Sequence, residues 1–166
     1  MTNQVRTAPR GPAPGRFVLW LAIAGLLLAL DLCTKAAVVN NLAYGAFVYV
    51  TPFFNLCHVR NTGAAFSFLG EAGGWQIFAF AAIAVVITLV CLYFLWRNAR
   101  RPLFASSMAL VIAGALGNLW DRLVYGYVTD FLDFHAFGWH WPAFNVADIC
   151  ICLGAAILVI DEFRRN

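Results

Sequence analysis

The sequence has few charged residues: they make up 11% of its 166 residues, whereas hydrophobic residues make up 63%. A soluble domain of this length normally carries about twice that charged fraction, and it cannot bury so much apolar surface in one small core. The scarcity of charge therefore excludes an ordinary soluble protein. It predicts an integral membrane protein, mainly α-helical, whose main solvent is lipid.

The sequence also lacks several motifs that would identify other functions. Its five cysteines are an odd number, and the closest pair, Cys150 and Cys152, would point to different faces of a helix, which argues against a disulfide framework or a zinc site. There is no His-Glu-x-x-His metal motif, no Gly-x-Ser-x-Gly nucleophile motif, and no basic stripe interleaved with aromatic residues. We therefore expect no metal, no other cofactor and no nucleic-acid partner.

The basic residues that are present mark one side of a membrane. Eight of the eleven fall in three clusters, each beside the end of an apolar run. These clusters are Arg6, Arg10 and Arg16; Arg97, Arg100 and Arg101; and Arg164 and Arg165. Cytoplasmic segments of membrane proteins carry such an excess of basic residues, so the clusters predict which ends of the helices face the cytoplasm.

Four apolar runs predict four transmembrane helices. A bilayer core of about 30 Å needs roughly 20 helical residues. The predicted spans cover residues 17–39, 75–96, 102–120 and 141–160. Four spans place both termini on the same side, and all three basic clusters then lie in the cytoplasm.

The remaining residues divide into a tail and two outer segments. Residues 1–15 are rich in proline and have no apolar periodicity, which predicts a disordered cytoplasmic tail before a membrane domain of residues 16–166. Segments 40–72 and 121–140 must then lie outside. The first contains two runs rich in aromatic and β-branched residues, which predict short strands of a small sheet on the membrane surface.

Polar residues from three predicted helices reach the same depth. With a rise of 1.5 Å per residue, Asp31, Asp148 and Asn118 lie about 22, 24 and 26 Å from the cytoplasmic edge. Ionisable groups inside a span are unfavourable and usually functional. Their common level near the outer surface of the bilayer predicts a site there.

Helical spacing brings some of these residues onto common faces. Asp31 and Lys35 are separated by four positions and can pair, although such a pair fits equally well with an ion pair that anchors a helix end. Asn145 and Asp148 are separated by three, so the amide of Asn145 is predicted to orient the Asp148 carboxylate by a hydrogen bond.

The outer segment after the third span contributes further carboxylates. Asn118 shares a face with Asp121 and Arg122, and these two favour a role in positioning the loop. Asp130 is placed to return to the level of the site. Asp133 would face the same site if its segment were helical, and it could equally face water. The three histidines are scattered in the outer segments, which is typical of interfacial residues.

Five blocks of sequence resemble those of lipoprotein signal peptidase (signal peptidase II). They are Asp31 to Lys35, Arg60 to Phe66, Gly114 to Arg122, Val128 to Phe131 and Phe144 to Asp148. Their order and spacing cover essentially the whole chain beyond the N-terminal tail. The resemblance implies four transmembrane helices with a small periplasmic β-element, in the inner membrane of a bacterium and with the active site near the periplasmic face.

The resemblance also implies an activity and its residues. The enzyme would cut the signal peptide from prolipoproteins just before a cysteine that carries a diacylglyceryl group, and Asp130 and Asp148 match the family's catalytic aspartates. Supporting positions match Asp31, Lys35, Asn61, Gly63, Asn118, Arg122 and Asn145. We expect a monomer, with membrane lipid and the lipidated prolipoprotein as its partners.

Two other classes of function compete with this interpretation. Carboxylates inside a membrane also mark ion paths, as in a small proton-coupled transporter, but these usually occur at several depths or in repeated halves. A non-catalytic assembly subunit could use its Asp–Lys pairs to hold partner helices. Replacing Asp130 or Asp148 by Asn would then weaken a complex and leave proteolysis unaffected.

Overall fold

The computed structural model describes residues 13–63 and 73–165, which form four helices and a four-stranded sheet. The helices are α1 (Pro14–Asn41), α2 (Trp75–Asn98), α3 (Pro102–Tyr125) and α4 (Val146–Phe163). The strands are β1 (Phe47–Thr51), β2 (Phe54–Asn61), β3 (Val128–Ala136) and β4 (Trp139–His140). The first twelve residues of the predicted tail, residues 64–72 of the first outer segment and residue 166 lie outside the described residues.

Three helices of the described chain, α1, α2 and α3, are long and apolar enough to cross a membrane. The large apolar side chains of α1 and α2 are widely exposed, for example Leu26 of α1 at 72% and Phe78 of α2 at 74%, as expected where lipid is the solvent. The fourth apolar run is also helical. It differs from the other three in carrying three acidic residues, Asp148, Asp161 and Glu162, within its eighteen residues.

The helix boundaries differ from the predicted ones at several ends. Helix α1 begins at Pro14, inside the predicted tail, because a proline is tolerated in the first turn of a helix. Helix α3 continues to Tyr125 and ends at Gly126, whose φ of 77° is the left-handed conformation that terminates helices. Helix α4 begins only at Val146, so residues 141–145 of the predicted span are not helical.

The sheet is antiparallel, in the order β1-β2-β3-β4. The prediction of short strands in the first outer segment is confirmed by β1 and β2, whereas β3 and β4 were not predicted in the second. Asn61 is opposite Val128 and Val59 is opposite Asp130, so the end of β2 runs alongside the start of β3. The two outer segments therefore form one sheet.

Helix α3 lies at the centre of the helices, packed against α1, α2 and α4. Most of its inward residues are small, and glycines allow α4 to approach closely. A Cβ atom on Gly154 would lie 2.9 Å from the Ser107 carbonyl oxygen, and one on Gly114 would collide with the carbonyl of Ala147. At the far end from the sheet, Arg101 pairs with Asp161 and joins the start of α3 to the end of α4.

Replacing Gly154 by alanine should lower the melting temperature in detergent by several degrees. The added methyl group has no space against the backbone of α3, and overpacking of this kind typically costs about 1–3 kcal/mol. Gly25→Ala is the matched control, because nothing lies within 4 Å of a Cβ atom on Gly25. An equal loss in both variants would mean that close contact between α3 and α4 is not the cause.

Candidate active site

Asp148 lies in the first turn of α4, where reciprocal hydrogen bonds with Asn145 hold the end of the helix. Asn145 is the N-cap, and its side-chain oxygen accepts a hydrogen bond of 3.0 Å from the Asp148 backbone N–H. In return, Asp148 Oδ2 accepts one of 3.2 Å from the Asn145 backbone N–H. This reciprocal capping box holds the half-buried carboxylate at the positive end of the helix.

Strand β3 supplies the second carboxylate, Asp130, which is only 2% exposed. Two side-chain amides donate to it, one to each oxygen. Asn145 Nδ2 lies 2.7 Å from Asp130 Oδ1, and Asn61 Nδ2 lies 3.1 Å from Oδ2. Asn145 therefore donates to both carboxylates, to that of Asp148 through its backbone N–H and to that of Asp130 through its side-chain nitrogen.

Asn118 of α3 connects this pair to a buried ammonium group. Its Nδ2 donates to Asp148 Oδ1 at 2.8 Å, and its Oδ1 accepts from Lys35 Nζ at 3.0 Å. A lysine ammonium can only donate, so it must face the amide oxygen. The NH₂ group of Asn118 is thereby directed to the Asp148 carboxylate.

Lys35 also holds two further carboxylates. Its Nζ lies 2.8 Å from Asp31 Oδ2 and 3.4 Å from Asp121 Oδ2, so the predicted pairing of Asp31 with Lys35 is present. The other oxygen of Asp31 accepts the backbone N–H of Ala147 at 2.8 Å, and Asp121 accepts that of Thr129 at 2.9 Å. Each carboxylate thus fixes the backbone next to Asp148 or Asp130.

Arg122 joins α3 to the end of β2. Its guanidinium donates to the backbone carbonyls of Gly63 and Asn118, both at 3.2 Å. The N–H of Gly63 donates to Asn61 Oδ1 at 2.9 Å, which orients the Asn61 amide with its nitrogen towards Asp130. The buried Nε of Arg122 has no hydrogen-bond partner among the residues that the structure describes.

Asp130 and Asp148 line the same groove, with a volume of about 630 Å³. Asn61, Asn118 and Arg122 line its polar part. Its remaining wall is largely apolar and is formed by Val59, Val128 and residues 141–144, 149 and 151–153. Two carboxylates at the inner end of an apolar groove can act on a polar bond in a molecule that is otherwise apolar.

The surroundings of Asp130 favour its protonated form. Burial, followed by the charge of Asp148, raises the pKa of Asp130 from 3.8 to about 7. The hydrogen bonds from Asn61 and Asn145 act in the opposite direction. At neutral pH Asp130 can therefore carry a proton, as a general acid requires.

The nine residues predicted for the site come together, with one difference in their contacts. The side-chain amide of Asn145 was predicted to orient Asp148, and it donates to Asp130 instead. The extended backbone of the N-cap turns the side-chain oxygen towards the Asp148 N–H, so the nitrogen is left to point at β3. The predicted roles of these residues stay predictions.

Asp133 lies away from the groove. It is on a strand and not on a helix, so its side chain points to the opposite face from that of Asp130. It is buried, with Asn55 Nδ2 at 2.8 Å and His140 Nδ1 at 2.9 Å, and so does not face water either. The described part of the chain contains no cluster of three or more histidine, cysteine, aspartate or glutamate residues suited to a metal ion.

The sequence does not reveal the parts that Thr129 and Ala147 play, because they contribute only backbone groups. A backbone contact places no requirement on residue type and leaves no motif. Trp141 and Pro142, which precede α4, form part of the groove wall. They were predicted to be helical, but the structure shows that they are not. An extended segment here would have followed from recognising Asn145 as an N-cap.

Residues 23–164 match the family described as signal peptidase (SPase) II. The chain is 52% identical over 151 residues to the lipoprotein signal peptidase of Burkholderia thailandensis, covering 91% of each chain. The chain belongs to the signal peptidase II family. The lipoprotein signal peptidase of Paraburkholderia phymatum is 51% identical over 154 residues, covering 93% of each chain.

Solved structures of bacterial membrane enzymes share the fold of this signal peptidase II. One, determined in meso at 2.3 Å, has a TM-score of 0.80 and 29% identity, covering 95% of this chain and 93% of that one. Another, at 1.9 Å, has a TM-score of 0.78 and 29% identity, covering 96% and 100%. The chain is thus an integral membrane hydrolase, an aspartic endopeptidase that processes lipoproteins, and neither a transporter nor an assembly subunit is favoured.

Asp130→Asn should make the protein more stable, and the gain should be larger at pH 8 than at pH 5.5. The pKa of Asp130 lies above its ordinary value in the folded state, so its ionisation opposes folding increasingly as pH rises from about 4 to 7. Asparagine cannot ionise. Melting temperatures at both pH values in the same detergent test this, with the exposed Glu162→Gln as the control. A gain that does not change with pH would contradict it.

Proposed function

We propose that Asp130 and Asp148 are the catalytic pair of this membrane endopeptidase. It removes the signal peptide from diacylglyceryl-modified prolipoproteins and cuts before the lipidated cysteine. The proposal is carried by one observation: two carboxylates from different elements line one groove and are both bonded to Asn145.

The pair acts by general acid and base catalysis. The ionised carboxylate takes a proton from a water molecule, which attacks the carbonyl carbon of the scissile peptide bond. The protonated carboxylate hydrogen-bonds to the carbonyl oxygen and then transfers a proton to the leaving amine. The raised pKa of Asp130 supports a proton on that carboxyl group near neutral pH. The reaction uses only these groups and water, with no metal or organic cofactor.

The supporting residues have two kinds of role. Arg122 and Asn61 line the groove, Gly63 is bonded to both, and these residues bind the substrate backbone. The buried Nε–H of Arg122 supports this role, since a substrate carbonyl would satisfy it. Asn118 and Asn145 hold the two carboxylates by hydrogen bonds. Asp31 and Lys35 hold the start of α4 in place and act through their neighbours.

The acyl chains of the substrate lie along α4. Ile149, Ile151 and Leu153 line the groove just beyond Asp148, and Leu153 is 51% exposed. An acyl chain that stays in contact with lipid can reach this wall without crossing a polar surface. Its glyceryl end then arrives beside the two carboxylates, where the scissile bond must lie.

Helix α4 is the fourth transmembrane span. Its eighteen residues measure about 27 Å, close to the thickness of the bilayer core. Its acidic residues lie in the first turn and near the last, which leaves an apolar middle. Both termini are then cytoplasmic and the sheet and groove lie at the periplasmic face of the bacterial inner membrane. The enzyme works as a monomer with lipid around it.

Asp130→Asn and Asp148→Asn should each lower turnover of a diacylglyceryl-modified prolipoprotein by about 10³-fold or more, because asparagine cannot exchange the proton. Substrate binding should persist. The measurement is cleavage by purified protein in lipid, with Asp133→Asn as a matched control. Asp133 is equally buried in the same strand but faces away from the groove, so its variant should stay within tenfold of the wild type.

Either catalytic variant within tenfold of the wild type would disprove the assignment of the pair. A wild type that does not cleave the lipidated substrate would disprove the proposed substrate and favour the assembly-subunit interpretation.

The value of kcat/KM should fall with a one-proton slope as pH rises above about 7. Below that pH Asp130 carries a proton and can act as the general acid, and above it Asp130 is ionised and the general acid is lost. Initial rates between pH 5.5 and 9.5 in the same lipid provide the profile. A rate that stays constant up to pH 9.5 would show that no group with this pKa takes part.

A further inference from the structure

Arg60, near the end of β2, has its guanidinium enclosed between two tyrosine rings. Its Cζ lies 4.6 Å from the ring centre of Tyr44 and 4.7 Å from that of Tyr127. Tyr127 in turn stacks on Tyr125, with ring centres 5.9 Å apart and an angle of 28°. We call Tyr44, Arg60 and Tyr127 the arginine clamp.

The arginine clamp joins three parts of the chain. Tyr44 follows α1, Arg60 belongs to β2, and Tyr127 lies between α3 and β3. Val59 and Asn61 line the groove, and neighbouring side chains on a strand alternate, so Arg60 points away from the groove. The clamp therefore closes on the opposite face of the sheet and touches neither catalytic carboxylate.

No salt bridge within residues 13–63 and 73–165 includes Arg60. Its interactions with the described residues are those with the two rings, which attract a cation over their faces. Enclosure between two rings also restricts the side chain and with it the backbone of the strand end. The clamp therefore restrains the position of Arg60 and of the end of β2, and it does not neutralise the charge of the guanidinium.

The residue that this restraint affects is Asn61. It is the last residue of β2 and the next one along from Arg60, and it is paired with Val128 at the end of the ladder. A strand end is where pairing is most easily lost. If β2 separates from β3 here, the bond from Asn61 Nδ2 to Asp130 Oδ2 is lost with it.

We propose that Arg60 is a positioning residue for catalysis: the arginine clamp holds the Asn61 amide on the Asp130 carboxylate. This rests on the proposed role of Asp130 and Asp148. The Asn61 N–H stabilises the ionised form of Asp130, and this bond lowers the pKa of that carboxyl. Opening the clamp removes that stabilisation, so Asp130 keeps its proton to higher pH.

The test compares pH profiles of kcat/KM on the lipidated prolipoprotein in lipid. Arg60→Leu removes the cation, and Tyr127→Leu removes one ring. We call the decrease of kcat/KM at high pH the alkaline limb of the profile. In both variants the pH at which this decrease begins should rise by about 0.5–1 pH unit, and kcat should be lower than in the wild type. Tyr127→Phe keeps the ring and should keep the wild-type limb. Arg60→Lys keeps a cation between the rings and should recover part of the lost kcat.

A double-mutant cycle separates positioning from a general loss of structure. Asn61→Ala removes the amide itself, so Arg60→Leu should have no further effect on the limb in that background. Additive shifts, or an unchanged limb in both Arg60→Leu and Tyr127→Leu, would overturn the proposal. Asp130→Asn in the same assay keeps the two hypotheses apart. If that variant is active, the catalytic pair is wrong, and if it is inactive while the limbs stay unchanged, only the clamp is wrong.

Discussion

The ammonium group of Lys35 is the contact on which the site depends. It is buried, and Asp31, Asp121 and Asn118 together supply its partners. A buried charge is tolerated only when such partners are in place, so these three side chains are held where they are. Through them one cation orients the Asn118 amide, the start of α4 and the start of β3. Asp148 and Asp130, the proposed catalytic residues, directly follow the backbone N–H groups that these contacts fix, and neither forms a salt bridge with the lysine.

The two carboxylates are held in different ways, and this asymmetry suits a pair with unequal tasks. Asp148 sits in the first turn of a helix, where its carboxylate accepts from one backbone N–H and one side-chain amide and is half open to the groove. Asp130 lies in a strand, almost fully buried, with two side-chain amides as donors. Burial opposes its ionisation more than the amides favour it, which leaves a proton available near neutral pH. The protein thus retains a carboxylate that weakens its stability in the place where chemistry needs it.

Much of this arrangement follows from the sequence, and the exceptions have physical reasons. Apolar runs and basic clusters predict the helices, and a rise of 1.5 Å per residue brings Asp31, Asn118 and Asp148 to one level. The strand β3 was not predicted, because its polar residues interrupt the apolar alternation that marks a strand. The direction of the Asn145 amide depends on the extended backbone of an N-cap, which spacing alone does not show. Contacts to backbone N–H groups leave no trace in the residue types at all.

The contact between Asp31 and Ala147 spans 116 positions of the chain, and it has a consequence during synthesis. During translation, Asp31 and Lys35 are synthesised long before Ala147, whose backbone N–H donates a hydrogen bond to Asp31 in the folded protein. Asp148, one of the two aspartates of the proposed catalytic pair, directly follows Ala147. A nascent chain therefore holds no complete active site until its last helix has been translated and packed. The order of the elements along the chain thus delays completion of the proposed site until α4 has packed against the earlier helices.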